Sequence, residues 1–128
     1  MMATAERNAG DAVRERAPHV LSVYQETRET VLEGGIVDRE IKDLCARYLA
    51  EDAETLAALA DQRLTERERA ALAWVDAIAW RAEAADDELW RRLHRAFTEP
   101  ELVELGYSIA ILLGQQHWLA THGVVERF

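Results

Sequence analysis

Apolar residues along this chain recur at intervals of three and four, the period of an amphipathic helix, and no stretch alternates singly in the manner of a half-buried strand. Pro18 suits the first turn of a helix over 18–31, where a missing N–H costs nothing, and Gly34 with Gly35 stops it. Asp38 stands at the N-cap of a helix over 39–51 whose Ile41, Leu44, Cys45, Tyr48 and Leu49 share one face. A short helix over 54–62 follows, carrying Leu56 and Leu59. Thr65 and Glu68 form a capping box, each side chain satisfying the other's free N–H, for a helix reaching Arg81 with Ala71, Trp74, Val75 and Ile78 inward. Asp86 caps the next helix, with Leu89, Leu93, Ala96 and Phe97 inward and Trp90 at the margin. A second box, Thr98 with Glu101, and Pro100 in the first turn open a long last helix that reaches His122 and stops at Gly123. Over 102–113 that helix is apolar around almost its whole circumference, which predicts cover from a neighbouring subunit. The expected fold is all-α, a compact bundle of five or six helices in one domain spanning 1–128. The polar stretch 1–17 reads as an extension that frays or forms a loose helix.

Charge changes this picture only by exclusion. A formal net charge of −9 argues against nucleic acid, whose phosphates call for surplus Lys and Arg, and against an anionic membrane surface. The chain has no run of about 18 apolar residues that would span a bilayer and no apolar signal segment near its start, so a cytoplasmic protein is expected. A single cysteine, Cys45, allows no intrachain disulfide and fits a reducing compartment. No Glu-x-x-His, His-Glu-x-x-His, paired Cys-x-x-Cys or Gly-rich phosphate loop occurs, so neither metal nor cofactor is expected.

The segments LTERERAALAWVDAIAW, DDELWRRLHRAF and TEPELVELGYSIAILLGQQHWLATHGV, lying in that order over 64–124, resemble the C-terminal half of carboxymuconolactone decarboxylase and alkylhydroperoxidase D-like proteins. Upstream, VDREIKDLCARYLAED resembles that family's D-x-R-x-K-E-L helix, and together the pieces span 37–124. The resemblance implies an alkylhydroperoxidase D-like helical subunit that assembles into dimers, trimers or hexamers, with a pocket near the subunit contacts. Redox members follow the first of these helices with C-x-x-C and a histidine; here 50–58 contains neither. Peroxide reduction needs an attacking thiolate and a resolving thiol, and Cys45 cannot be both. The thiol peroxidase activity is therefore not carried over, whereas the decarboxylase branch works without the cysteine pair.

The candidate catalytic residues are His117 and Asp43. His117 falls in the row of Gly106, Ala110 and Leu113, taken as the inward face of the last helix, with Gln116 beside it. It reads either as a core histidine bonded to a structural partner, the commoner fate of a buried polar group, or as the general acid or base of a dry pocket. Asp43 matches the acidic position of the family's helix, while its own helix turns it away from the apolar stripe. Gln116, Tyr48, Tyr107, Trp118 and Cys45 are the candidate ligand-binding residues. Each of the aromatics is equally a core residue by spacing, and Cys45 a small buried hydrophobe. His94 belongs at the wet edge of its helix. One good proton-transfer group without a convincing partner favours a non-catalytic oligomer that binds a small molecule or another protein. The alternative is a cofactor-free lyase or isomerase acting on a small organic acid or lactone through His117.

Overall fold

The computed structural model describes residues 8–126, and these contain helices and no strand. In chain order they are α1 (Asp11–Arg14), α2 (Pro18–Thr27) running into a π turn (Arg28–Leu32), α3 (Arg39–Leu49) and α4 (Ala53–Ala60). After these come α5 (Glu66–Ala79), a 3-10 turn (Ala82–Ala84), α6 (Asp87–Ala96) and α7 (Glu99–Thr121). None of the described helices is long and apolar enough to cross a membrane.

Local chemistry sets most of the boundaries. Both capping boxes form: Thr65 with Glu68 opens α5, and Thr98 with Glu101 opens α7. Asp86 accepts the Leu89 N–H at 2.9 Å and opens α6. Gly123, at φ +70°, closes the turn after α7. Asp38 departs from expectation, for it occupies the N-cap position of α3 without making a cap hydrogen bond. Its carboxylate lies 3.8 Å from the Arg67 guanidinium instead. The short helix starts at Ala53 because Asp52 caps it through Thr55, and this turns Thr55 inward and leaves Leu56 exposed. The helix expected over 18–31 changes to a π turn at Arg28; the wider turn carries Leu32 into an apolar cluster with Tyr24, Ala46 and Leu112.

The main core gathers Ile41, Leu44 and Cys45 of α3, Ala71, Leu72 and Val75 of α5, Leu89 and Leu93 of α6, and Leu102, Leu105 and Ile109 of α7. Every one of these helices thus lends one stripe to a common interior. Glycine at 106 lets α5 come close, since a Cβ there would stand 2.7 Å from the Trp74 ring. The stretch expected to fray at 1–17 falls partly on 1–7, outside the described residues. Within the remainder, α1 is pinned by Arg14, whose fully buried guanidinium lies 3.7 Å over the Tyr24 ring and binds Asp11, Gln115 and Glu126. Burial opposes the Arg14 charge, but Glu126 and Asp11 outweigh it and raise its pKa.

Candidate functional site

The last helix was expected to turn Gly106, Ala110, Leu113 and His117 inward. The buried face of α7 is instead Leu102, Leu105, Ser108, Ile109, Leu112 and Leu119, and Ala110 and His117 are exposed. On a helix that is apolar all round, angular position alone does not say which side the other helices will cover. His117 follows Ile109 by eight residues and so sits about 80° round from it. It makes no hydrogen bond among the described residues; its contact is with the exposed Trp80 ring, centroids 6.4 Å apart.

Asp43 and Gln116 do come together. Both line a cleft of about 430 Å³ beside the end of α3 and the start of α4, with Arg47, Glu51 and Glu126. The expectation that Asp43 lies off the apolar stripe holds, and its Oδ2 is 3.2 Å from the Arg47 Nε one turn later. Gln116 donates through Nε2 to the Ala46 carbonyl at 3.0 Å, tying α7 to α3. Glu126 on the far wall is engaged by Arg14.

Tyr48 belongs to a different place. Its hydroxyl donates to Asp76 Oδ1 at 2.8 Å, and burial together with that carboxylate pushes the phenol up to about 12. A phenol so placed holds its proton throughout the physiological range and cannot serve as a base there. Tyr48, Leu49, Leu56 and Trp80 line a hollow of about 150 Å³. Across the Trp80 indole, Asp76, Arg81 and Arg92 line a second, wider cleft of about 510 Å³. Cys45 is fully buried, and desolvation pushes its thiol up to about 12, which corrects its place among the ligand-binding candidates. Tyr107 and Trp118 are exposed rather than set in a pocket wall, and Trp118 stands edge-on to His122 with centroids 5.5 Å apart. His94 is exposed as expected, with Nδ1 2.8 Å from the Trp90 carbonyl and Nε2 2.8 Å from Glu99. The candidates therefore divide among four places, the cleft beside α3, the hollow at Tyr48, the core and the outer side of α7, and do not converge on one reacting centre. Among the described residues no group of His, Cys, Asp and Glu is arranged to hold a metal.

Two features escaped sequence reasoning. Lys42, the chain's sole lysine, is fully buried, and its ammonium reaches the carbonyls of Val31 and Gly34 and the carboxylate of Glu104. A lone lysine four residues past an N-cap was the available signal. The other is the outer side of α7. Val103, Tyr107, Ala110, Gly114, His117, Trp118 and Thr121 are all exposed there, and none is formally charged. At its N-terminal end the side borders a shallow hollow of about 240 Å³ lined by Trp74, Trp90, Glu99, Val103 and Gly106; toward its C-terminal end His117 meets Trp80. All four tryptophans of the chain stand on or beside this surface.

Comparison with protein-family models, with curated proteins and with solved structures found no match.

Proposed function

We propose that this chain is a carboxymuconolactone decarboxylase-like helical subunit without peroxidase chemistry, which acts by binding rather than by catalysis and works in the cytoplasm as a homo-oligomer. The observation that carries the reading is the bare side of α7. Uncharged over its exposed residues from Val103 to Thr121 and flanked by tryptophans, it has the composition of an interface core, where charged residues are depleted and aromatic ones enriched. The chemistry of the other candidates supports the same conclusion. A proton-transfer site needs an acid or base within hydrogen-bond reach of a second group, and His117 has no such neighbour. Cys45, sealed and held protonated, offers no thiolate to a peroxide.

Two measurements test the reading. Light scattering at micromolar concentration is expected to return a multiple of 14.5 kDa. Incubation with a hydroperoxide and a dithiol is expected to show no turnover above that of Cys45→Ser. A monomer overturns the assembly, and Cys45-dependent turnover overturns the chemistry.

A further inference from the structure

Resting on the reading of this chain as a self-assembling binding protein, we propose that the partner seated on the bare side of α7 is a second copy of the same chain, with the two α7 helices packed antiparallel about a two-fold axis that passes near Ala110 and Gly114.

Six exposed residues of α7 are arranged nearly symmetrically about position 112. Ala110 and Gly114 lie two places to either side, Tyr107 and Trp118 five and six, Val103 and Thr121 nine. Position 112 itself, Leu112, points the opposite way, into the protein. On a helix of 3.6 residues per turn all six fall within one sector of the circumference. Turning a copy end over end about the centre of that sector sets Val103 against the partner's Thr121. It sets Tyr107 against the partner's Trp118 and Ala110 beside the partner's Gly114. The middle of the strip is therefore small where two helices must approach most closely, and a Cβ added at Gly114 would meet no atom of the rest of its own chain within 4 Å. An isologous interface requires this kind of self-complementarity.

The edge of the strip fits as well. His117 and the adjoining Trp80 lie on the α5 side, and the same rotation carries them over the hollow between Trp74, Trp90, Val103 and Gly106 of the other copy. One copy thus supplies a projection and a recess, and the pair satisfies both twice.

Area and charge point the same way. Trp80, Tyr107, Trp90 and Trp118 are 62%, 53%, 38% and 37% exposed; with aromatic side chains of about 150–250 Å² they present roughly 400 Å² per copy. Doubling this and adding Val103, Ala110, Gly114 and His117 passes the ~1,000 Å² expected of a specific interface. The chain carries a formal charge of −9, so two copies repel through most faces. The strip from Val103 to Thr121 has no carboxylate and no cation to greet a nucleic acid; Glu99, on the rim of the hollow, is its nearest carboxylate.

The test is the mass of the full chain by light scattering over a dilution series, for the wild type, Gly114→Glu, Ala110→Glu and Ala57→Glu. The Cβ of a glutamate at 114 meets nothing in its own subunit, and in the dimer its carboxylate faces its equivalent across the axis, where it is desolvated and repelled. Association is expected to weaken at least about 100-fold, so that Gly114→Glu runs at 14.5 kDa where the wild type runs at twice that. Circular dichroism should show the helical content unchanged. Ala110→Glu repeats the test should the first variant misfold, and Ala57→Glu, exposed on α4, should remain a dimer. A wild-type dimer that survives both α7 substitutions overturns this face while leaving a self-assembling protein. A trimer without two-fold symmetry overturns the antiparallel arrangement. A wild type that stays monomeric at high concentration overturns both this inference and the assembly it rests on, and leaves the strip to a different protein.

Discussion

Glu104→Ala removes an acceptor that three donors share. The carboxylate lies 3.0 Å from the Lys42 ammonium and accepts the Val37 N–H at 2.7 Å and the Ile36 N–H at 2.9 Å. It thereby fastens the segment between the π turn and α3 onto α7, directly under Gly35 at φ +85°. Without it Lys42 keeps the Val31 and Gly34 carbonyls but is a buried charge with no counter-charge. Removing one member of a buried pair costs about 3–5 kcal/mol. The retained carbonyls, and water reaching the exposed Ile36, place this case at the lower end, near ~3 kcal/mol. Lys42→Met should cost less, about 1–2 kcal/mol, because Glu104 keeps both backbone N–H donors and some contact with water. The double variant should then fall short of the sum by more than about 1 kcal/mol, the sign of direct coupling. The assay is urea unfolding followed by far-UV circular dichroism. A loss under about 1 kcal/mol for Glu104→Ala, or strictly additive losses, would refute the argument. The pair also has a pH signature. Burial opposes the Glu104 charge, but the Val37 N–H, Lys42 and the Ile36 N–H outweigh it and lower the pKa. A carboxylate lowered on folding contributes stability that is present above its unfolded value, about 4.3, and lost as pH falls through the folded one. Glu104→Ala should lack that part of the acid sensitivity.

Three further outcomes are expected. Gly106→Ala drives a methyl to 2.7 Å from the Trp74 ring and should cost a net ~1–2 kcal/mol, overpacking outweighing the better helix propensity of alanine; unchanged melting and tryptophan fluorescence would contradict the close packing. A thiol reagent should label Cys45 only after denaturation, and rapid labelling of the native protein would show that the thiol is reachable. In a spectrophotometric titration Asp76→Asn should bring Tyr48 down from about 12, since the neighbouring negative charge is gone; an unmoved phenol would mean that the hydrogen bond between them does not form.

The candidate site was legible only where a residue's neighbours come from its own helix. Asp43, turned off the apolar stripe by the phase of its own helix, is such a case. Tyr48 shares the apolar face of α3 by its spacing, but its partner Asp76 lies on α5, and nothing local to either residue joins them. His117 failed for a related reason. Its row was identified from Gly106, and the glycine does mark a close approach, though the approaching group is the Trp74 indole rather than an imidazole. Arg14 left no signal at all in a polar N-terminal stretch, because its partners Gln115 and Glu126 stand at the other end of the chain.

By itself the sequence determined where α5, α6 and α7 begin and where α7 stops, since caps, capping boxes, Pro at a first turn and Gly after a last one act within four or five residues. It also determined the buried stripe of α6, whose opposite face is charged and can point only to water. For α7 the sequence left the question open, because leucine, isoleucine, valine and tyrosine surround its first three turns. Which of them are buried was decided by α3 and α5, which take the side holding Leu105, Ile109 and Leu112 and leave Val103 and Tyr107 in solvent, 69% and 53% exposed. The hydrophobic effect has no direction of its own, so when every side of a helix can be buried, only the positions of its neighbours choose among them.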